Sequence, residues 1–161
     1  MIIREIEECD NKQVEEVIRT CLKEFGGDRG GLAWEDPFLG RLSEVYHATG
    51  SKYWVVEQDG RIVGGCGVGP MQSLEGICEL QKMYCLQEVR GTGIANKLML
   101  TALDFAQQHY SQCYLETLGN MVAANKFYKK HGFLELDKPL GDTGHYSCDV
   151  WYLKNLRNMG Q

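Results

Sequence analysis

A glycine-rich turn between a strand-like segment and an amphipathic helix constrains this chain more than any other feature. The turn, residues 88–95, follows an apolar run over residues 80–86 and opens a segment with apolar residues at three- and four-residue spacing, residues 94–105. Gly91 and Gly93 leave backbone N–H groups unshielded, and the helix N-terminus adds a partial positive charge. The turn is therefore suited to holding an anion, most naturally a phosphate.

Several interpretations of this turn compete. A P-loop needs a second glycine and a metal-binding hydroxyl, but Asn96 and Leu98 occupy those positions. A dinucleotide-binding fingerprint needs a third glycine, where Asn96 stands, and an acidic residue about twenty residues later, for which Glu116 is not a clean match. A third pattern, Arg/Gln-x-x-Gly-x-Gly/Ala, holds a pyrophosphate on consecutive amides. From this segment alone, a turn that only reverses the chain stays open as well.

The bulk composition predicts one globular domain and excludes several classes of function. With 161 residues, 43% of them hydrophobic, the chain is expected to form a single domain over residues 1–161. Its net charge of −5 argues against nucleic-acid binding, which needs a basic face. The seven cysteines are odd in number and form no Cys-x-x-Cys, so neither a disulfide framework nor a metal site is indicated. No signal-peptide or membrane-spanning segment is recognisable, which predicts a cytoplasmic protein without a membrane partner.

The hydrophobic pattern predicts strands and helices that alternate in an α/β fold with one mixed sheet. Asp59-Gly60 between two β-rich segments is typical of a hairpin, and Asn120 and Gly132 are typical of a helix N-cap and C-terminal glycine. The predicted strands cover residues 2–6, 53–57, 61–68, 76–86, 112–117, 133–136 and 145–156. The predicted helices cover residues 11–25 and 36–47, the segment after the glycine turn, and the segment from 120 to 131.

Two motifs in this order resemble the GCN5-related N-acetyltransferase (GNAT) superfamily. Residues 79–86 with the turn at 90–95 are similar to that family's acetyl-CoA motif. Residues 115–117 and 120–133 resemble its second motif, which ends in Phe-Tyr-x-x-x-Gly-Phe. The resemblance covers about residues 53–136. It implies a three-layer α/β fold whose central sheet is mixed, mostly antiparallel and flanked by helices.

The resemblance also implies acetyl-CoA as the acyl-donor co-substrate and no metal. In the family, the strand before the turn is splayed from its neighbour, so that the pantetheine chain pairs with exposed backbone groups. The residues that match the cofactor-binding positions are Met83, Tyr84, Cys85, Arg90, Gly91, Thr92, Gly93, Ile94, Ala95 and, from the next helix, Asn125.

The activity implied is direct transfer of the acetyl group to a primary amine in a ternary complex. Such a transfer needs a proton donor for the departing CoA thiolate and an acceptor for the amine proton. Tyr128, a phenol with an ordinary pKa of about 10, matches the donor, and Glu79 matches a position where some family members carry a general base. A core aromatic and a solvated carboxylate are the simpler interpretations. Glu116 and His145 are weaker candidates for the base, since a histidine beside Gly144 is expected at the surface.

Cys85 invites a covalent acyl-cysteine step, but nothing near it in the sequence is placed to lower the pKa of its thiol, so we expect none. The acceptor, a small-molecule or peptide amine, is expected between residues 26–37, residues 69–76 and the final hairpin. Trp34, Glu35, Asp36 and Tyr46 would suit a cationic amine there.

A non-catalytic acyl-CoA-binding sensor, or a structural module of the same fold, is the alternative function. Dimers are common in this fold, and the sequence leaves open whether the chain forms a homodimer.

Overall fold

One seven-stranded sheet organises the part of the chain that the computed structural model describes, residues 1–156. The strands are β1 Ile2–Glu5, β2 Lys52–Gln58, β3 Arg61–Pro70, β4 Ile77–Cys85, β5 Gln112–Thr117, β6 Leu134–Leu136 and β7 Val150–Asn155. The helices are α1 Asn11–Glu24, α2 Leu42–Val45, α3 Ile94–His109 and α4 Val122–Lys130. Within residues 1–156, no helix is long and apolar enough to cross a membrane.

The strand order β1-β2-β3-β4-β5-β7-β6 confirms the predicted mixed, mostly antiparallel sheet. All neighbouring strands run antiparallel except β4 and β5. That exception follows from the connection between them, because two parallel strands need a crossover of a dozen or more residues. Helix α3 and the glycine turn supply this crossover.

Helices cover both faces of the sheet, which confirms the predicted three layers. Strand β2 shows why helices can pack on both faces, since its side chains alternate between the two faces of the sheet. Tyr53 and Val55 pack with α1 and α2, while Trp54 and Val56 pack with α3 and α4. A strand buried on both faces has no polar side, which explains the unbroken apolar run in the sequence.

Strands β4 and β5 stay paired over only three residues and then separate. The pairs join Ile77–Glu79 with residues 112–114. Beyond them β5 continues against β7, and β4 continues to Cys85 against β3 alone. The far half of β4 therefore has an open edge inside the protein, as the resemblance implied.

The predicted helix over residues 36–47 is wrong. The segment forms only a short 3₁₀ turn, Leu39–Arg41, and the four-residue α2. Asp36 is extended, with φ −60° and ψ 122°, because the residue before a proline is disfavoured in helical conformation. Gly40 in the middle of the segment weakens a helix further.

Two smaller predictions also need correction. The last strand begins at Val150, not at residue 145, because residues 145–149 form a loop that bonds to the segment 30–36. Helix α4 is preceded by Met121 at the N-cap position, and Asn120 instead donates through Nδ2 to the carbonyl oxygen of Phe25, at 3.0 Å. The C-terminal glycine is confirmed, since Gly132 has φ +84° after α4.

Candidate active site

The glycine turn presents free amides at the start of α3. Gly91 and Gly93 have φ of +79° and +87°, and a Cβ at either position would meet no atom within 4 Å. Among residues 1–156, no acceptor bonds the backbone N–H groups of Gly91, Thr92 or Gly93. The first N–H groups of α3 have no partner within the helix either. The turn therefore offers several amides and a helix N-terminus to an anion, in open space.

Arg90 is bonded to other parts of the protein, although its side chain is partly exposed. Its Nε donates to the carbonyl oxygen of Cys85 at 2.9 Å, and its Nη1 donates to Glu24 Oε2 at 2.8 Å. The guanidinium thus ties the end of β4 to α1. Arg90 still contributes to the wall of the cavity described next, so its role there is to fix the strand end beside the glycine turn.

A largely apolar cavity of about 260 Å³ lies between the open edge of β4 and α4. Six of the predicted cofactor or catalytic residues line this cofactor cavity: Met83, Tyr84, Cys85, Arg90, Ala95 and Tyr128. Its apolar wall suits the aliphatic part of a pantetheine chain. Lys82 has φ +50° and forms a bulge in β4 opposite Cys66, so the backbone bends where the strand edge is exposed.

A second cavity, of about 230 Å³, lies next to the first, where β4 and β5 separate, and is more polar. We call it the acceptor cavity; its charged lining residues are Asp36, Glu79, Lys82, Glu116 and His145. The two cavities share four lining residues: Met83, Tyr84, Met121 and Tyr128. Molecules bound in the two cavities would therefore meet beside Tyr128.

Tyr128 has a packed ring and an uncommitted hydroxyl. The residue is 8% exposed, and its ring centroid lies 6.2 Å from that of Phe133 and 5.8 Å from that of Tyr152. Within residues 1–156 its hydroxyl makes no hydrogen bond, although it is not sealed from the cavities. Burial raises its pKa well above the ordinary value, so the phenol stays protonated at neutral pH. Tyr128 is thus a core aromatic that also carries a protonated, unbonded hydroxyl at the junction.

Glu79 is a buried carboxyl rather than a solvated one, with 8% of the residue exposed. Gln81 Nε2 donates to Glu79 Oε1 at 2.7 Å, and Tyr46 donates its hydroxyl to Gln81 Oε1 at 2.6 Å. Burial raises the pKa of Glu79 to about 7, although the bond from Gln81 opposes the shift. A carboxyl with such a pKa can accept and release a proton near neutral pH.

The burial of Glu79 makes the free energy of unfolding depend on pH. Between its ordinary pKa of 4.5 and about 7, Glu79 keeps a proton in the folded state that the unfolded chain has released. Stability is therefore lost as the pH rises through that window, by about 3 kcal/mol in all. We expect Glu79→Gln, which can still accept from Gln81, to be more stable than the parent at pH 8 but not at pH 4.5. Urea unfolding at both pH values measures this, and a constant difference would contradict it.

The other two candidates for the base are held by neighbours. Glu116 accepts from the hydroxyls of Tyr114, at 2.8 Å, and of Thr143. His145 Nε2 lies 2.8 Å from Asp36 Oδ1, and the prediction that this histidine is at the surface is wrong. The hydrogen bond with Asp36 outweighs burial and raises the pKa of His145. Both side chains are thus tied to neighbouring groups in the lining of the cavity.

Asn125 is committed to the protein, which removes it from the cofactor contacts that we propose below. Its Nδ2 donates to the carbonyl oxygens of Leu118 and Met121, and its Oδ1 accepts from Tyr152. For Cys85, burial raises the pKa of the thiol to about 11, so the thiolate needed for covalent catalysis is disfavoured at neutral pH.

The expected acceptor segments are placed only in part around the acceptor cavity. Asp36 lines it, but Trp34 packs under the Arg19 guanidinium, and Glu35 accepts from the amide of Gly31. Tyr46 does not line the cavity and instead donates its hydroxyl to Gln81, which bonds to Glu79. Residues 69–76 line a different surface depression, on the far side of the β4 start.

Lys82 is the site residue that sequence reasoning missed. Its Nζ lies 2.6 Å from Asp36 Oδ2, and its side chain is 12% exposed. A lysine inside a segment that is otherwise read as a buried strand was the available signal, because an unpaired lysine is almost never buried. Its partner Asp36 comes from a distant segment, which no local pattern could reveal.

Comparison with known proteins agrees with this geometry. The acetyltransferase (GNAT) domain family matches residues 49–135. The uncharacterized N-acetyltransferase YjgM of Escherichia coli K12 is 42% identical over 159 residues, which cover 96% of this chain and 95% of that protein.

Solved structures share the fold. The GNAT-family acetyltransferase from Staphylococcus aureus Mu50 superposes with a TM-score of 0.85 at 23% identity, over 97% of this chain and 99% of that one. The PaiA N-acetyltransferase from Thermoplasma acidophilum, in complex with coenzyme A, gives a TM-score of 0.73 at 18% identity, over 96% and 98% of the two chains. The chain belongs to the GNAT family of N-acetyltransferases.

Proposed function

We propose that this protein transfers the acetyl group of acetyl-CoA directly to an amine, with both substrates bound at once. The observation that carries the proposal is the pair of cavities that meet at Tyr128, one apolar and next to the glycine turn, the other polar and lined by Glu79. Holding both reactants at such a junction replaces a bimolecular encounter by an oriented contact.

The glycine turn fits the phosphates of CoA. Amides from Gly91 to Ala95 would bind the pyrophosphate, because their hydrogens lack acceptors in the described chain and no side chain fills the space over the two glycines. The apolar cofactor cavity would hold the pantetheine beside Met83, Tyr84 and Cys85. The complex of PaiA with coenzyme A supports this placement, since that protein has the same fold.

Tyr128 would donate its proton to the departing thiolate of CoA. An unperturbed phenol is about as weak an acid as a thiol, and burial, which raises the pKa of Tyr128, keeps its proton in place until the C–S bond breaks. The hydroxyl is not occupied by another group among residues 1–156, so no bond within the protein has to break first.

Glu79 would take the proton that the attacking amine loses, directly or through water. Its pKa of about 7 is close to the pH at which such a base works best. The alternative function, an acyl-CoA sensor without catalysis, has no use for a buried carboxyl with this pKa or for a free phenol at the junction. The raised pKa of Glu79 and the unbonded hydroxyl of Tyr128 therefore favour the enzyme.

The pH–rate profile tests the base. We expect kcat/KM of the parent protein to rise with pH through about 7 as Glu79 loses its proton. Glu79→Gln should lower the rate and remove that acidic limb. The measurement is the rate of CoA thiol release between pH 5.5 and 9 at subsaturating amine.

Glu116→Gln is the matched control, since it removes a charge from the same cavity. The Glu116 charge contributes to the raised pKa of Glu79, so this variant should keep the acidic limb and move it to lower pH. An acidic limb that survives unchanged in Glu79→Gln would assign the base to another group.

A further inference from the structure

The acceptor cavity carries positive charge on one wall, and the acetyl transfer proposed above makes no use of it. Lys82 and His145 both reach Asp36, with Nζ 2.6 Å from Oδ2 and Nε2 2.8 Å from Oδ1. One carboxylate therefore faces two basic groups. The ammonium of Lys82 has three N–H donors, and Asp36 is its only ion-pair partner within residues 1–156.

The backbone of β4 is bent to bring Lys82 to this wall. In a regular strand Lys82 would lie on the same face as Leu80, which packs in the core on the α3 side. The bulge breaks that alternation and puts the lysine at the acceptor cavity, with φ +50°. A positive φ is unfavourable for a residue other than glycine and persists only where the surroundings hold it. The hydroxyl of Tyr53 does so by donating to the carbonyl oxygen of Lys82, at 3.0 Å.

Two acidic side chains line the same cavity. They are Glu79 and Glu116, and Glu116 is held by the hydroxyls of Tyr114 and Thr143. The cavity thus offers carboxyl groups suited to an amine together with basic groups suited to an anion. With an acceptor that carries only an amine, Lys82 and His145 would share the single carboxylate of Asp36, and a buried charge is costly unless it is fully paired and hydrogen-bonded.

We propose that the acceptor is an amino acid, whose amine faces Glu79 and whose free carboxylate binds to Lys82 and His145. This inference rests on the proposed function, because it names the substrate of that site. Asp36 acts as a positioning residue, since it holds the two basic side chains on one wall. Polyamines and simple amines lack the carboxylate, and a peptide carries it far from its terminal amine.

A substrate panel tests the inference. Each of the twenty L-amino acids is compared with its amide and with its decarboxylated amine, and spermidine and a tripeptide are added. We expect at least one amino acid to be acetylated, with kcat/KM at least about tenfold above that of its amide and amine, because these lack the carboxylate that would bind to Lys82 and His145. Mass spectrometry of the N-acetylated product confirms each turnover.

Lys82→Met then tests the residue with that amino acid. We expect KM for the amino acid to rise at least about tenfold, while the Kd for acetyl-CoA stays unchanged. The matched control is Lys12→Met, an exposed lysine on α1, which should change neither constant. His145→Gln should move KM in the same direction and serves as the second variant if Lys82→Met does not fold.

The double variant Lys82→Met/Asp36→Asn distinguishes two explanations for a raised KM: that Lys82 binds the substrate, or that it only neutralises Asp36. If Lys82 served only to neutralise Asp36, removing both charges would restore KM to the parent value, which would overturn the inference. We expect KM to remain raised.

The panel also separates the two proposals. Amides, amines or the tripeptide acetylated as well as the amino acids would overturn the amino-acid assignment and leave acetyl transfer to an amine standing. No acetylation of any compound by a protein that binds acetyl-CoA would instead contradict the proposed function, and the amino-acid assignment with it.

Discussion

Tyr128→Phe is expected to lower kcat about 10²-fold or more while the Kd for acetyl-CoA stays within about twofold of the parent value. The hydroxyl lies at the junction of the two cavities and bonds to no group in residues 1–156, so its removal breaks no bond within the protein. The ring contacts with Phe133 and Tyr152 remain in the phenylalanine. Stopped-flow or steady-state CoA release gives kcat, and isothermal titration gives the Kd.

Two neighbouring tyrosines provide the controls. Tyr152→Phe removes a hydroxyl that donates to Asn125, at 2.6 Å, so we expect a stability loss of about 1 kcal/mol and an unchanged kcat. Tyr84 lines both cavities as Tyr128 does. A large loss of kcat in Tyr84→Phe, with none in Tyr128→Phe, would transfer the role of the acid to Tyr84 and contradict our assignment.

Gly91→Glu is expected to weaken acetyl-CoA binding by at least about 100-fold, which corresponds to about 2.7 kcal/mol. The new side chain would fill the open space over the turn and set a carboxylate against the phosphates of CoA. The left-handed φ of +79° adds strain for any residue with a Cβ. Isothermal titration with acetyl-CoA measures the change directly.

The hairpin turn between β2 and β3 offers a closely matched control. Gly60 also has φ +79°, and a Cβ there would also meet no atom within 4 Å. Gly60→Glu therefore carries the same strain and the same charge away from the two cavities, and it should bind acetyl-CoA as the parent does. Equal affinity of Gly91→Glu and Gly60→Glu for acetyl-CoA would contradict the assignment of the phosphate-binding site to the glycine turn.

The parts of the fold that sequence predicted well are those with a local physical cause. Alternating burial in β2, the Asp59-Gly60 turn and the apolar face of α3 are each specified by residues close together in the chain. The helix expected over residues 36–47 rests on Pro37 as its first residue, but a start signal alone does not sustain a helix, and Gly40 weakens the segment after one turn.

The candidate active site also contains features that nearby residues specify and features that only the tertiary structure creates. The glycine turn and Tyr128 lie in motifs whose spacing along the chain sets their geometry, so the sequence was informative about them. The pKa of Glu79 depends on its burial in a strand that lies between β3 and β5, and the Lys82–Asp36–His145 cluster joins three distant segments. Only the tertiary structure brings these groups together, and Arg90 and Asn125 show that a matching position can be used inside the protein instead.

The measurement that tests the account most directly is the initial rate of CoA release with acetyl-CoA and the acceptor amine varied together. If the two cavities that meet at Tyr128 hold both substrates at once, as we propose, double-reciprocal plots will intersect to the left of the ordinate and the N-acetylated amine will form. Parallel lines would show that the acetyl group passes through an acyl-enzyme, for which Cys85 would be the candidate, and would contradict direct transfer.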